Sequence, residues 1–330
     1  MRIAIVGGGL AGLATCYHLL QKNSNLEVKL FEKKKIGAGA SGAAAGLLHP
    51  YVGNLAKPHW KEHEGIQSTR KLLDLAAQTI GQATYTASGV VRCIMHQTQT
   101  QVFRDVCKND PSVSWWEAKY TASQIGIAKP AIFISEGLNV YTEIYLQGLW
   151  LLCQHYGTEL IPKALGPEDY PHFDAIILSC GAELPKLCPK LNLVLKRGEV
   201  LLCEKQLKHG IIGDGYFSLS SNSNVCYIGS TSRENLEEIS LEKATKLILN
   251  KTNQWFRTNP KVLSYKSGIR VHRSSGISYP MVGKLDSKIW CFTALGSRGL
   301  MHHAHLGGIL AHAVLRQRPE LIPHELSSRS

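Results

Sequence analysis

The sequence predicts an α/β protein in which a doubly wound, mainly parallel sheet is interrupted by a β-rich, antiparallel region. Three observations predict it. The chain opens on a strand, a glycine turn, a helix and a second strand, MRIAIVGGGLAGLATCYHLLQKNSNLEVKLFE. Far downstream, DAIILSCGAEL at 174–184 again reads as a buried strand running into a glycine turn. Between these segments and after them, runs such as TYTASGVVRCIMH and RGEVLLCE alternate and are rich in β-branched residues, as antiparallel strands are.

The opening can be justified element by element. Ile3–Val6 is the short apolar run of a strand buried on both faces. Gly7, Gly9 and Gly12 follow at G-x-G-x-x-G spacing, with Leu10 and Ala11 at the turn into a helix expected over Ala11–Leu20. Val28–Phe31 is the second strand, and Glu32 ends it at about the twenty-residue spacing of a dinucleotide fingerprint. In that arrangement the first glycine permits a tight turn and the second lets backbone approach a pyrophosphate. The third lets helix and sheet pack closely. The helix N-terminus offers free N–H groups and the positive end of its dipole to the phosphates, and Glu32 is placed to accept hydrogen bonds from an adenosine ribose. Lys33 flanks Glu32 as a candidate contact. Lys33–Lys35 otherwise reads as a solvated loop, and a 2′-phosphate there would be repelled by Glu32. The glycines alone do not choose between NAD and FAD.

Composition excludes several classes. A chain of 330 residues, 44% hydrophobic and 19% charged, suits one large or two moderate globular domains. No apolar run reaches membrane-spanning length, and the apolar N-terminus is better explained by the fingerprint than by a signal peptide. The nine cysteines contain no C-x-x-C pair, which argues against a disulfide framework or a zinc ribbon and for reduced thiols in a cytoplasmic protein. The net charge of +12 suits either a polyanionic partner such as RNA or a solvated basic surface.

Further along, GAGASGAAAG at 37–46 is a second loop of small residues against which a ligand can lie, with Ser41 and Gly42 as donors beside Ala43 and Gly46. Helices are expected over 65–77, 142–156, 241–256 and 302–315, and 112–135 reads as irregular. Strands are expected at 197–204 and 225–234, and KIWCFTALGSRGL at 288–300 reads as strand then glycine turn. The order assigns residues 1–82, 136–196 and 268–330 to a discontinuous nucleotide-binding domain, and 83–135 and 197–267 to a β-rich substrate-binding domain.

GGGLAG with Glu32, then GAGASGAAAGLLHP, KRGEV, DAIILSCGAEL, GIR, YPMVGK and ALGSRGL, in this order, resemble the D-amino-acid oxidase superfamily of FAD-dependent oxidoreductases, which includes glycine and sarcosine oxidases. Within it, ASG…GLLHP, YPMVG and ALGSRGL are most similar to the oxidase halves of bifunctional tRNA wobble-uridine modifying enzymes. The resemblance implies a Rossmann-like FAD-binding domain with non-covalent FAD and a carboxylated amine as substrate. It further implies tRNA as a partner, with removal of the carboxymethyl group from a 5-carboxymethylaminomethyl uridine. FAD contacts are implied at the fingerprint and loop residues above, at Leu47 and Gly181, and at Gly296, Ser297, Arg298, Gly299 and Leu300. Arg270 matches the position that binds the substrate carboxylate, for which the planar fork of arginine is suited. Arg298, with the helix N-terminus behind it, matches the turn beside the flavin, and Tyr216 offers a hydroxyl at the substrate.

Two departures are expected to matter. The chain opens directly on the fingerprint, without a methyltransferase half. The stretch VHRSSGISY at 271–279 is longer than the family pattern and should border the substrate. A small-molecule amine or amino-acid oxidase is therefore the alternative reading, and a non-catalytic flavin- or RNA-binding protein the third.

The histidines invite a metal reading that their order does not support. HWKEH at 59–63 lacks the H-E-x-x-H order, and His302, His303 and His305 have no carboxylate near in sequence. Trp115 and Trp116 either stack a base or fill a core.

Overall fold

The computed structural model describes residues 1–57, 59–252, 255, 260–274 and 279–327. In chain order the elements are β1 (Arg2–Val6), α1 (Leu10–Lys22), β2 (Glu27–Phe31), β3 (Leu47–Leu48), α2 (Glu62–Ile80), β4 (Tyr85–Thr86), β5 (Val90–Cys93), α3 (Thr98–Asn109), β6 (Val113–Trp116), α4 (Ala118–Ile125), β7 (Ala131–Ile134), β8 (Leu138–Val140) and α5 (Thr142–His155). There follow β9 (Glu159–Ile161), β10 (Ala175–Leu178), α6 (Leu184–Leu187), β11 (Leu193–Glu204), β12 (Gly210–Ile212), β13 (Tyr216–Leu219), β14 (Val225–Gly229), α7 (Leu241–Thr252), β15 (Lys261–Arg273), β16 (Met281–Lys284), β17 (Ile289–Thr293) and α8 (Gly299–Arg316).

The first sheet has the order β16-β17-β10-β1-β2-β9. β17, β10, β1, β2 and β9 run parallel, and β16 closes the edge antiparallel. Its apolar runs are buried on both sides. Ile3 and Ile5 of β1 join a core with Leu13 and Leu19 of α1 and Leu310 of α8. Ala4 and Val6 point the other way, into a core with Phe31, Ile176 and Leu178. That two-sided burial is why β1 lacks polar alternation. The chain leaves β1 toward β2 and returns on its other side as β10, so a topological switch point lies between β1 and β10, where ligands of open α/β sheets bind.

The second sheet has the order β15-β11-β14-β13-β12-β5-β7-β6. It is antiparallel except for the β12–β5 pair. Phe217, Leu201 and Ile228 on its inner face pack against Ala244 and Ile248 of α7. β11 and β15 pair from Leu193↔Arg273 to Glu204↔Lys261, so this sheet runs past the boundaries expected near 196 and 267. A small third sheet, β3-β8-β4, carries Leu47 and Leu48.

One sequence expectation needs correction. Residues 112–135 are ordered secondary structure, not irregular chain: β6 and β7 pair, with α4 between them. Short strands bracketing an eight-residue helix are too brief to show a period. The tryptophans of this segment are structural. Trp116 stacks on Phe133 at a centroid distance of 4.8 Å, and the Arg104 guanidinium covers the Trp115 ring at 4.1 Å. The helix expected over 241–256 is seen as α7, and residues 253, 254 and 256 of that expectation lie outside the described residues. Among the described residues no helix is long and apolar enough to cross a membrane.

Candidate functional site

Three turns meet at the carboxyl edge of the parallel sheet: those after β1, β10 and β17. The turn after β1 is held by close backbone contact. Gly7 has φ +109°, and a Cβ there would stand 2.5 Å from the Ser179 carbonyl oxygen. A Cβ on Gly12 would stand 2.0 Å from the Gly7 carbonyl oxygen. These are the fingerprint's first and third glycines in the roles expected of them. Ser179, at the end of β10, donates through its hydroxyl to the Val6 carbonyl at 2.9 Å and so ties the two turns together. Gly181 follows with φ +55° and open space around it.

Gly9 caps α1 at its N-terminus. The first-turn N–H groups of α1 have no acceptors within the helix, and the Ser41 hydroxyl accepts that of Leu10 at 3.1 Å. A Cβ on Gly9 would intrude to 2.9 Å from the same hydroxyl. The second small-residue loop thus faces the N-terminal end of α1, where Leu10, Ala11 and Gly12 lie. The loop is compact. Gly42 donates to the Gly37 carbonyl at 3.1 Å, and Ala40 and Ala43 abut Gly268 of β15. Gly46, with φ +93°, packs on the Val140 carbonyl, and Leu47 pairs with Asn139 in the small sheet.

Glu32 accepts from the Gly8 N–H at 3.0 Å and the Lys34 N–H at 2.9 Å, one on each carboxylate oxygen. Each oxygen keeps a further lone pair for a ribose hydroxyl. Lys33 departs from the group: its ammonium pairs with Glu183 at 3.4 Å, beyond the end of β10.

At the far side, Ala294 (φ +55°) and Gly296 (φ +53°) form the left-handed turn between β17 and α8. A side chain on Gly296 would strike His272 at 2.8 Å. Arg298 caps α8, and its carbonyl accepts from the Met301 and His302 N–H groups. α1 and α8 pack in parallel, since Gly299 adjoins Leu10 and Gly307 adjoins Ala14. Both helix N-termini therefore lie side by side at the carboxyl edge of the sheet, where their dipoles favour an anionic ligand. Leu300 is buried, and its carbonyl accepts from the Thr69 hydroxyl at 2.7 Å.

Arg270 of β15 reaches the turn between β17 and α8. Its guanidinium donates from Nη1 to the Ser297 hydroxyl at 3.1 Å and from Nη2 to the Thr231 carbonyl at 3.0 Å. Tyr216 of β13 is bonded to Ser230, packed on Gly229 and near enough to Arg270 to feel its charge. Burial raises the Tyr216 phenol above its ordinary value, against the Ser230 bond and the Arg270 charge, so it stays a donor. Burial lowers the His272 imidazole, and the charges of Arg270, Lys196 and Arg298 lower it further. Burial likewise lowers Arg298.

The histidines after the turn do not converge. His302 meets His59 at 2.8 Å, His303 meets the Tyr145 hydroxyl at 2.7 Å, and His305 lies near Trp60. Burial, His59 and Arg298 push His302 down to about 3. Among the described residues, no group of three or more histidine, cysteine or carboxylate side chains is arranged to hold a metal ion.

Sequence reasoning gave no role to Ser179, Gly198, Glu199, Thr231 or His272, although DAIILSCGAEL, KRGEV and VHRSSGISY contain four of them. Glu199 did carry a signal, a carboxylate at the head of the apolar run Val200–Cys203. Of the stretch 271–279, residues 275–278 lie outside the described residues.

Solved structures of the same shape include glycine oxidase from Geobacillus kaustophilus, with a TM-score of 0.80 at 18% identity over 96% of this chain and 95% of that one. Iminodiacetate oxidase from Chelativorans sp. BNC1 gives 0.79 at 15% identity over 99% and 98%. At these identities the likeness is one of fold. The tRNA 5-methylaminomethyl-2-thiouridine biosynthesis bifunctional protein MnmC of Magnetococcus marinus is 25% identical over 261 residues, which are 70% of this chain and 38% of that protein. The chain thus matches well under half of that relative's length. The family described as DAO, FAD dependent oxidoreductase, matches residues 2–313. The cradle of Gly7, Gly9 and Gly12, the paired helix N-termini and the Glu32 carboxylate fit the cofactor that this description names, and with the family matched almost from end to end the chain belongs to the DAO family of FAD-dependent oxidoreductases.

Proposed function

We propose that the protein oxidises the C–N bond of a carboxylated secondary amine, the carboxymethylaminomethyl group of a tRNA wobble uridine. The observation that carries the reading is Arg270, held by Ser297 and Thr231 beside the turn into α8 through bonds that use two of its five N–H donors. A fixed guanidinium there suits a carboxylate bound two-pronged. The MnmC relative and the net charge of +12 support tRNA as the carrier.

Bound FAD supplies the two-electron acceptance that converts the amine to an imine, which water then hydrolyses. Gly7, Gly9, Gly12 and Glu32 hold the adenosine end, and the turn Gly296–Leu300 with Arg298 offers positive charge to the other end. Arg270 holds the carboxylate in register, and Tyr216 contributes a protonated hydroxyl. The amine must react neutral. His272, two residues from Arg270 on the same strand face, is kept neutral by burial and by the charges of Arg270, Lys196 and Arg298, so it adds no further positive charge beside the amine.

A second reading uses the same seat. Arg270 recognises a carboxylate and reads no base, so glycine or sarcosine fits it equally. Anaerobic mixing of the FAD-loaded protein separates the two. The expected result is bleaching of the flavin by tRNA bearing 5-carboxymethylaminomethyl uridine, with glycine and sarcosine much slower. Rapid bleaching by the small amines and none by the tRNA would establish the second reading.

A further inference from the structure

Three consecutive residues of β11, Arg197, Gly198 and Glu199, all serve the segment that holds Arg270. The segment 230–238 follows β14 and is mostly exposed apart from Thr231. Its backbone joins β11 through an isolated bridge, Arg197↔Arg233. Side chains do the rest. Arg197 donates to the Leu236 carbonyl at 2.6 Å and to the Ser267 hydroxyl at 2.8 Å. Glu199, fully buried, accepts from the Thr231 hydroxyl and from Arg233 Nη2, the latter at 2.6 Å. Arg233 in turn donates to the Glu237 and Asn235 carbonyls. Thr231, clamped by Glu199, presents its carbonyl to Arg270.

Gly198 completes the seat by being small. Arg270 pairs with Lys196 across the β11–β15 ladder, and its side chain lies diagonally over Gly198, two residues on along the same face. A Cβ on Gly198 would stand 2.8 Å from Arg270 Nη2 and 3.0 Å from the Thr231 carbonyl oxygen. The glycine gap and the clamped carbonyl together fix where the guanidinium ends.

We propose that Gly198, Glu199 and Thr231 are positioning residues for substrate recognition, a rigid seat that aims the Arg270 guanidinium at the substrate carboxylate. The proposal rests on the reading of Arg270 as the carboxylate anchor. Burial opposes charge on Glu199, but the Arg233 and Thr231 hydrogen bonds outweigh it and hold the carboxyl below its ordinary value, so the clamp is ionised at neutral pH.

The test is a double-mutant cycle on the FAD-loaded protein, read by titrating glycolate, a small carboxylate, against the flavin absorbance. Gly198→Ala leaves the buried Glu199 pair in place, and the atom it crowds most is the end of a flexible side chain. Gly198→Ala is expected to weaken glycolate binding about tenfold, and Arg270→Ala to weaken it more. In the Arg270→Ala background, Gly198→Ala should cost nothing further. Unchanged glycolate binding in Gly198→Ala beside a clear loss in Arg270→Ala would overturn the seat and leave the anchor standing. An equal loss from Gly198→Ala in both backgrounds would also overturn it. Unchanged binding in Arg270→Ala itself would remove the anchor and the seat with it.

Discussion

Replacing Arg270 by alanine is expected to weaken binding of carboxylated amines by about 2–3 kcal/mol, which is roughly thirty- to 150-fold in affinity. The size follows from what is lost. The guanidinium is held at Ser297 and Thr231 before substrate arrives, so little ordering entropy opposes the contact. A two-pronged charged pair at a partly dry site is worth more than an exposed salt bridge. The loss should appear in the dissociation constant of a carboxylate, read from the flavin spectrum. Amines lacking a carboxylate should be little affected. Equal weakening for both kinds of amine would mean that Arg270 supports the fold of the site and does not contact the carboxylate.

The other large effect is expected at the opposite end of the cofactor. Gly12→Ala places a methyl group 2.0 Å from the Gly7 carbonyl oxygen, a contact no Cβ tolerates. The atom struck belongs to the backbone and cannot swing aside. The start of α1 must move away from β1, and with it the N–H groups proposed to hold the pyrophosphate. Overpacking of this kind costs about 1–3 kcal/mol even in adaptable cores, and here it falls on the anion-binding turn itself. The variant should purify with far less bound flavin than the parent, measured as the ratio of flavin to protein absorbance. Full occupancy in Gly12→Ala would show that the turn is not where FAD is held.

The two ends of the cofactor differed in how far they could be read from sequence. The fingerprint end was legible because its elements are local: Gly7 to Glu32 is one strand–helix–strand unit whose spacing has a mechanical meaning. Of the parallel sheet, β1, β2, β10 and β17 were legible for the same reason, since their apolar runs carry the signature of burial, whereas β9, largely exposed, and the edge strand β16 were not read as strands. The substrate end was not. Arg270 donates to a carbonyl 39 residues away, and no pattern in the sequence marks Thr231 as its partner. Gly198 stood inside the KRGEV motif but had no assigned role until the side chain lying across it was visible. Glu199 could have been suspected, because a carboxylate beside Val200 and Leu201 needs a partner if the strand is buried, and Arg233 supplies it. Lys33 shows the converse limit, for its neighbour in the fold is Glu183, on another turn.

The proposed substrate is a carboxylated amine on tRNA. The most direct measurement is the nucleoside composition of tRNA from cells that lack this protein. Accumulation of 5-carboxymethylaminomethyl uridine, reversed by the intact chain and not by its Arg270→Ala variant, is the predicted result. A tRNA nucleoside profile unchanged by loss of the protein would contradict the account.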